Sequence, residues 1–600
     1  MRVFLLHPDD DFHGDWTRRQ WDAVVDLGRA PKSFYDARSA ELGCPVFSVF
    51  DLAVEVADLQ TWRPLFALGM GCVVDRFGID WWDVISLVLQ PELQDVQFAL
   101  RLAENLRGCR TLATSRLSVT AEVLRLQLGI RLQVLSRGLR ERLVPRILRR
   151  GATAAANLSF VQLRQVMYDK FDPYYRWRRK RAGTPARSSQ QSEPVVLLPS
   201  AYSNVTKTAL SYAGILPEEE FLLVLARESG AVSRVPPNVE TVPLAGFAKK
   251  GCDRNELQRL EARWKQMEQS LEEHPAFRLA VQIGILKRGS RWLRWGLAVR
   301  DAWLRVFELR SVVSCLCADD SNPYTRIPLL LAHQRGLPAV ACHHGALDCR
   351  MAFKNPRFSN YLAKGEMERD YLERVCGIDA SRIRIGAPSP PREDASIWDE
   401  RAPWIAFFTE PYETDLWRVE AIYREVLPRL CVAARRAGKN VVLKLHPFES
   451  ARQRRRLVAR ILSADDRKMV SVTDAPLSRE IFQQTWCAVT VESTVAFECA
   501  SLGIPAFLCG WLRHAYAGYA PQYVRFGVGR MLEFPDELLR IPDMLRAVMP
   551  DSDIAHRLVQ AISPEALAEV LCPQQASGLR SLSEVQCSRV VRPGSNTTSP

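Results

Sequence analysis

Short apolar runs alternate along this chain with longer amphipathic stretches, and that alternation constrains the fold most. Parallel strands need long crossover connections, usually helices, so a strand period followed repeatedly by a helix period predicts parallel sheets. The clearest series occupies the C-terminal half, with strands expected at 404–408, 441–445, 470–472, 487–491 and 506–508 and helices at 416–437, 451–462, 479–484 and 494–502. A second series has strands at 195–199, 221–226, 312–317, 339–342, 361–363 and 384–386, with helices at 255–273, 291–309 and 325–336. The N-terminal part predicts strands at 2–6, 23–27, 45–50, 111–114 and 131–135, with helices at 93–106 and 120–128.

The expected fold class is therefore α/β: two Rossmann-like domains facing a cleft, with an additional N-terminal α/β module. The divisions are an N-terminal module at 1–180, a polar linker at 181–194, an acceptor domain at 195–390, a nucleotide-donor domain at 403–572 and a Ser-rich, disordered tail at 573–600. Periodicity alone does not separate an independent N-terminal domain from a split half of the second module.

With 600 residues, 47% of them hydrophobic and 25% charged, the chain has ample core for several domains. No apolar run is long enough to span a bilayer, and residues 2–6 lead into Asp9, Asp10 and Asp11, which reads as a strand and polar loop rather than a signal peptide. Fifteen cysteines without a C-x-x-C pair read as free thiols in a reducing cytoplasm. The net charge of +13 calls for an anionic partner. Basic clusters at 137–150, 176–181 and 287–300 include Trp177, Trp292 and Trp295, a mixture suited to an anionic membrane surface as well as to solvated helix faces. No nucleic-acid-binding motif accompanies the charge, so nucleic acid is not an expected partner. The expected location is cytoplasmic, peripheral on the inner face of the cell membrane.

Two motifs carry the chemistry. Lys444-Leu445-His446-Pro447 closes one strand of the C-terminal series, and Glu492-Ser493-Thr494-Val495-Ala496-Phe497-Glu498 links another to its helix. Both fall at carboxyl ends of strands, the edge where open α/β sheets bind ligands. Lys444, His446, Ser493 and Thr494 offer donors to a phosphate, and Glu498, a turn below the hydroxyls, can accept from ribose hydroxyls. Taken singly, a His-Pro turn and a Ser-Thr helix cap are ordinary structural features. Together and in order they describe a nucleotide pocket. His343-His344-Gly345 follows a strand of the second series. Asp320, Asp348 and Asp10 also stand at or near strand ends, where His343 and these carboxylates are candidates for an acceptor side, although turn chemistry explains aspartates there equally well.

The Lys-x-His-Pro and Glu-Ser-Thr-x-x-x-Glu pattern, with His-His-Gly upstream, resembles the GT-B-type glycosyltransferases of bacterial capsule and lipopolysaccharide synthesis. By the same motifs it resembles bacterial sialyl and Kdo transferases and the CDP-glycerol glycerophosphotransferases. The resemblance implies transfer of a sugar from a nucleotide-activated donor, cytidine nucleotide favoured, to a surface polysaccharide or its lipid-linked precursor. It aligns His344 with the general base of the glycerophosphotransferases, while His343 stands where that family has tryptophan. Glycerophosphate or polyol-phosphate transfer is the alternative within the family, and a non-catalytic, membrane-associated scaffold of an export complex is the alternative outside it. A nucleotide-sugar epimerase is disfavoured, because Glu492-Ser493-Thr494 replaces the usual Ser-Gly-Gly. No cofactor is expected beyond the donor itself. Phosphate charge is expected to be met by Lys444, His446 and Arg513, without a metal ion.

Overall fold

The computed structural model describes all residues except 8–9, 11–14, 29, 53–63, 136–192, 249–252, 346–359, 389–395, 411–415, 447–448, 513–519, 551–552 and 573–600. The basic clusters at 137–150 and 176–181, the linker up to residue 192, the tail, Asp348 and Arg513 lie outside the described residues.

Three wholly parallel sheets form. The first contains β1 (Arg2–Leu6), β2 (Ala23–Asp26), β3 (Val46–Ser48), β4 (Thr111–Thr114) and β5 (Arg131–Val134), in the order β3-β2-β1-β4-β5. The second contains β6 (Val195–Ser200), β7 (Phe221–Leu225), β8 (Val239–Pro243), β9 (Val312–Cys317), β10 (Ala339–Ala341), β11 (Asn360–Ala363) and β12 (Ile383–Ile385), in the order β12-β11-β10-β9-β6-β7-β8. The third contains β13 (Trp404–Phe408), β14 (Asn440–Lys444), β15 (Val470–Thr473), β16 (Thr485–Thr490), β17 (Ala506–Cys509) and β18 (Arg530–Leu532), in the order β15-β14-β13-β16-β17-β18.

Central strands such as β6 and β16 are buried at every position, as expected for parallel strands covered on both faces. All strands expected from the pattern are present. Two more, β8 and β18, close sheet edges and were not expected, because an edge strand with half its residues in solvent lacks the continuous apolar run.

The N-terminal module has its own sheet but shares a core with the second, which resolves the ambiguity left by periodicity. The joining layer is helical. The Trp81–Asn105 helix starts well before the expected residue 93, capped by Asp80 accepting from the Trp82 N–H and continuing through Pro91. It packs on the Ile285–Leu309 helix at positions where only glycine fits: a Cβ on Gly296 would collide with the Trp81 ring, and one on Gly289 with Trp264. The same layer buries charge. Arg300, with no exposed surface, donates to Asp75 at 2.7 Å, to Glu256 at 2.8 and 2.9 Å and to Asp301 at 2.7 Å, and Arg326 pairs with buried Asp83 at 2.9 Å. Within the third basic cluster, Arg291 and Arg294 are exposed, but Trp292 and Trp295 pack edge-to-face and Trp295 sits on Tyr324. Both tryptophan rings are half-buried against the core.

The third module is tied to the second at its C-terminal end. Gln560 N–H donates to Lys364 O at 2.8 Å, Ala387 N–H to Gln560 O at 2.7 Å and Ile562 N–H to Ala387 O at 3.0 Å. The Pro564–Leu571 helix, expected with the nucleotide-donor domain, packs through Leu567 and Leu571 against the second sheet. The chain thus returns to the second module before residue 572. Among the described residues every cysteine is a free thiol, and no helix is long and apolar enough to cross a membrane.

Arg300→Leu strands the carboxylates of Asp75 and Glu256 in a buried site, and is expected to destabilise the fold by about 3–5 kcal/mol. A lowered urea midpoint followed by tryptophan fluorescence, with Arg291→Leu unchanged as a surface control, is the check.

Candidate functional site

Strand order decides where the site forms. From β13 the third sheet grows one way through β14 and β15, and then resumes on the other side with β16, β17 and β18. The connections leaving β13 and β16 therefore diverge at their carboxyl ends and open a crevice, the usual ligand site of such sheets. The polar residues that finish β14, β13 and β16 meet there.

At the end of β14, Lys444 is buried and its Nζ donates to Leu445 O at 2.6 Å. Burial pulls its pKa below the ordinary lysine value, with Asp474 and Glu449 opposing. The His446 N–H points to Thr409 Oγ1 at 3.2 Å and to Glu449 Oε2 at 3.1 Å. Glu449 also takes the Thr409 hydroxyl and the Arg454 guanidinium, the latter at 2.9 Å, so the Lys444–His446 turn stands on a buried ionic support. Burial, and then the Lys444 charge, lower the His446 pKa, which leaves a neutral imidazole at pH 7. Pro447 lies outside the described residues.

At the end of β16, Thr490 Oγ1 donates to Phe408 O at 2.9 Å and to Glu410 Oε1 at 3.1 Å, and the Glu492 N–H donates to the same Glu410 oxygen at 2.6 Å. Ser493 Oγ accepts from the Val495 N–H at 3.3 Å, and Thr494 precedes the Val495–Ser501 helix. That helix is seven residues long, so the capacity of this loop to hold an anion rests on its N–H and hydroxyl donors more than on a helix dipole. Glu498 is exposed on it.

Glu410 was not singled out from the sequence, although it follows strand 404–408 directly and the strand-end rule that found Lys444 and Ser493 applies to it equally. Burial, reinforced by the Glu492 charge and opposed by bonds from Glu492, Thr490 and Ser493, pushes its pKa up to about 7. Through Thr409 and Glu410 the residues at the ends of β14, β13 and β16 form one hydrogen-bonded unit.

The His343–His344 loop ends β10. The two adjacent histidines do not point to opposite sides as successive residues of a strand would: their rings stack, with centroids 4.9 Å apart and an interplanar angle of 29°. The strand stops at Ala341, so the two-residue alternation stops with it. His343 Nδ1 lies 2.9 Å from Gly345 O and 3.3 Å from Gly345 N, which folds the loop back on itself. His344 Nδ1 is buried without a partner among the described residues, and burial followed by the neighbouring His343 pushes the His344 pKa down to about 4. Lys364 Nζ donates to Gly345 O at 3.3 Å, and the Lys364 N–H to Glu368 Oε2 at 2.5 Å.

The two strand edges share a wall. Tyr523 is buried, and after burial itself the charges of Glu410, Glu498 and Glu492 from the third module and of Glu368 from the second raise its phenol pKa. Gln522 beside it donates to Met367 O at 3.1 Å and Asp370 at 2.7 Å.

Two acceptor-side candidates are not open to a ligand. Asp320 is buried and takes the Tyr361 hydroxyl at 2.8 Å. Asp10 is buried in the first sheet, where it closes a turn by accepting from His7 N–H at 2.9 Å and Ser115 Oγ at 2.6 Å. Among the described residues no group of three His, Cys, Asp or Glu side chains could hold a metal ion. A cavity of about 1310 Å³ opens at the opposite edge of the second sheet, lined by Val312, Ala339, Ile383 and Leu571, and includes none of the motif residues.

No family profile matches the chain, and no curated protein does. Three of the solved structures it is similar to are a UDP-N-acetylglucosamine 2-epimerase from Neisseria meningitidis bound to UDP-GlcNAc, a variant of the wall teichoic acid polymerase, and a Streptomyces glycosyltransferase complexed with thymidine diphosphate. Identities are 11%, 11% and 14%, TM-scores 0.36, 0.35 and 0.34, and the matches cover 65%, 72% and 64% of this chain against 100%, 100% and 99% of theirs. Similarity at this level carries no argument about function, which has to come from the residues themselves.

Because the Glu410 pKa is raised from 4.5 to about 7 by folding, its contribution to stability is complete below about 4.5 and is lost as pH rises through 7. Glu410→Gln keeps the acceptor oxygen and removes the titration. Melting curves at acid and at mildly alkaline pH should show wild type losing more stability than the variant over this interval.

Proposed function

We propose that this chain is a glycosyltransferase that moves a sugar from a nucleotide-activated donor, with a cytidine nucleotide favoured, to a surface polysaccharide or its lipid-linked precursor. The observation that carries this reading is the joining of Lys444, His446 and the loop at 491–494 at three neighbouring strand ends of a parallel sheet, across a shared wall from a pair of histidines. Lys444, His446, Ser493 and Thr494 would hold the donor's phosphates, and exposed Glu498 would accept from its ribose.

An acceptor hydroxyl must lose a proton as it attacks the anomeric carbon, and an imidazole lone pair suits that step. The resemblance puts this role on His344, whose Nδ1 is buried. His343 Nδ1 is engaged with the Gly345 backbone, 2.9 Å from its O and 3.3 Å from its N. The base is accordingly assigned to the stacked pair of His343 and His344. A net charge of +13 favours work at an anionic membrane face, where a lipid-linked acceptor would be met.

Calorimetric binding of CMP, CDP, UDP, GDP and ADP tests the site. Cytidine-selective binding, weakened about tenfold or more in His446→Ala, is expected. Binding of none of them, or binding indifferent to His446, would remove the basis for a donor site. With donor and acceptor identified, His343→Ala should lower kcat at nearly unchanged donor affinity. Turnover should persist in excess chelator.

A further inference from the structure

We propose that the Glu410 carboxylate occupies, in the empty site, the place that an oxygen of the donor's diphosphate takes when the donor binds, so that donor binding displaces it and takes up one proton there. This inference rests on the nucleotide-donor reading of the site.

Glu410 Oε1 collects the Glu492 N–H at 2.6 Å and the Thr490 hydroxyl at 3.1 Å, and the Ser493 N–H adds to them. Two N–H groups and the Thr490 hydroxyl, whose proton is shared with Phe408 O, gather on one carboxylate and form an oxyanion cradle. They come from the β16 end and its following loop, the donors that a phosphate in this crevice would need. An N–H makes one strong hydrogen bond, so carboxylate and phosphate compete for them.

The charges around it make the exchange proton-dependent. Facing Glu410 are Glu492 from the β16 connection, Cys509 on β17 and Tyr523 from the Ala520–Arg525 helix, and the same Tyr523 is reached by the charges of Glu498 and, across the wall, Glu368. Lys444, His446 and Glu449 stand on the β14 side. A diphosphate arriving beside ionised Glu410 and Glu492 adds negative charge to a negative corner. Protonation of Glu410 removes one of those charges and frees the cradle, and its O–H can then donate to a phosphate oxygen. In the free protein Glu410 titrates near 7, so the exchange falls within the physiological range. The balance is simple: one proton moves from solvent to a carboxylate, and no covalent bond of the donor changes.

The test uses intact nucleotide sugars, whose diphosphate diesters have no titrating phosphate in this range, and compares full-length wild type with Glu410→Gln at about pH 7.0 and about pH 8.5. Wild-type affinity should fall by roughly tenfold per unit above the Glu410 titration, with about one proton taken up per donor bound when heats are compared in two buffers of different ionisation enthalpy. The variant, which keeps the shape and cannot hold a carboxylate in the cradle, should bind more tightly at the higher pH and take up no proton. His446 titrates below this window, and whatever slope Lys444 contributes survives in the variant and subtracts out. Equal slopes and equal proton uptake in the two proteins would overturn the displacement while leaving the donor site intact. Failure of both proteins to bind any nucleotide sugar at either pH would overturn the donor site and the displacement together.

Discussion

Burial of both faces of every central strand is the constraint on which this molecule depends. Parallel strands wrapped on two sides have no polar face to spare, so polar chemistry is pushed to the loops that leave them. The third sheet obeys this closely: β13, β14 and β16 are almost wholly apolar until their last residues, where Thr409, Glu410, Lys444, His446, Thr490 and Glu492 appear in succession. The reversal of strand order between β13 and β16 then brings these ends to one crevice. Neither the sheet nor the reversal alone would assemble the site.

The second constraint is ionic. A helix layer that buries Arg300 among three carboxylates, and Arg326 against Asp83, fastens the N-terminal module to the second through interactions that cannot slide as an apolar contact can. Gly289 and Gly296 bring the helices close enough for those groups to meet. The module at 1–134 therefore behaves as an extension of the second module's core, with its sheet set to one side. Its buried Asp10 and His7 are absorbed in turn chemistry and offer nothing to a ligand.

How legible each element is from the sequence depends on how it is stabilised. Strands buried on both faces announce themselves as continuous apolar runs, and all of those expected are present. The edge strands β8 and β18 did not, since solvent on one side dilutes the run with polar residues. The start of the Trp81–Asn105 helix was hidden by Pro91, which costs the helix one hydrogen bond and is tolerated because packing on both sides holds it. In the site, Lys444, His446, Ser493 and Thr494 were recognisable as strand-end residues. Glu410 stands at a strand end as they do, but its bonds to the β16 loop join residues some eighty positions apart and come only with the fold. The stacking of His343 on His344 and the burial of Asp320 against Tyr361 likewise depend on where the chain leaves its strand and what crosses it, neither of which periodicity encodes.

The charge balance of the crevice explains why protons belong in any account of its chemistry. Among the described residues its cations are few: burial lowers the Lys444 pKa, and for the same reason His446 and His344 are neutral at pH 7. Its anions are several, with Glu410, Glu492, Glu498 and Glu368 all within electrostatic reach of one buried tyrosine. A site in this state repels a second anion, yet its backbone donors are arranged for one. Either a cation arrives with the ligand or a carboxyl gives up its charge. Glu410 is the carboxyl whose surroundings already hold it at the point of doing so, and its hydrogen bonds are those that an incoming phosphate needs.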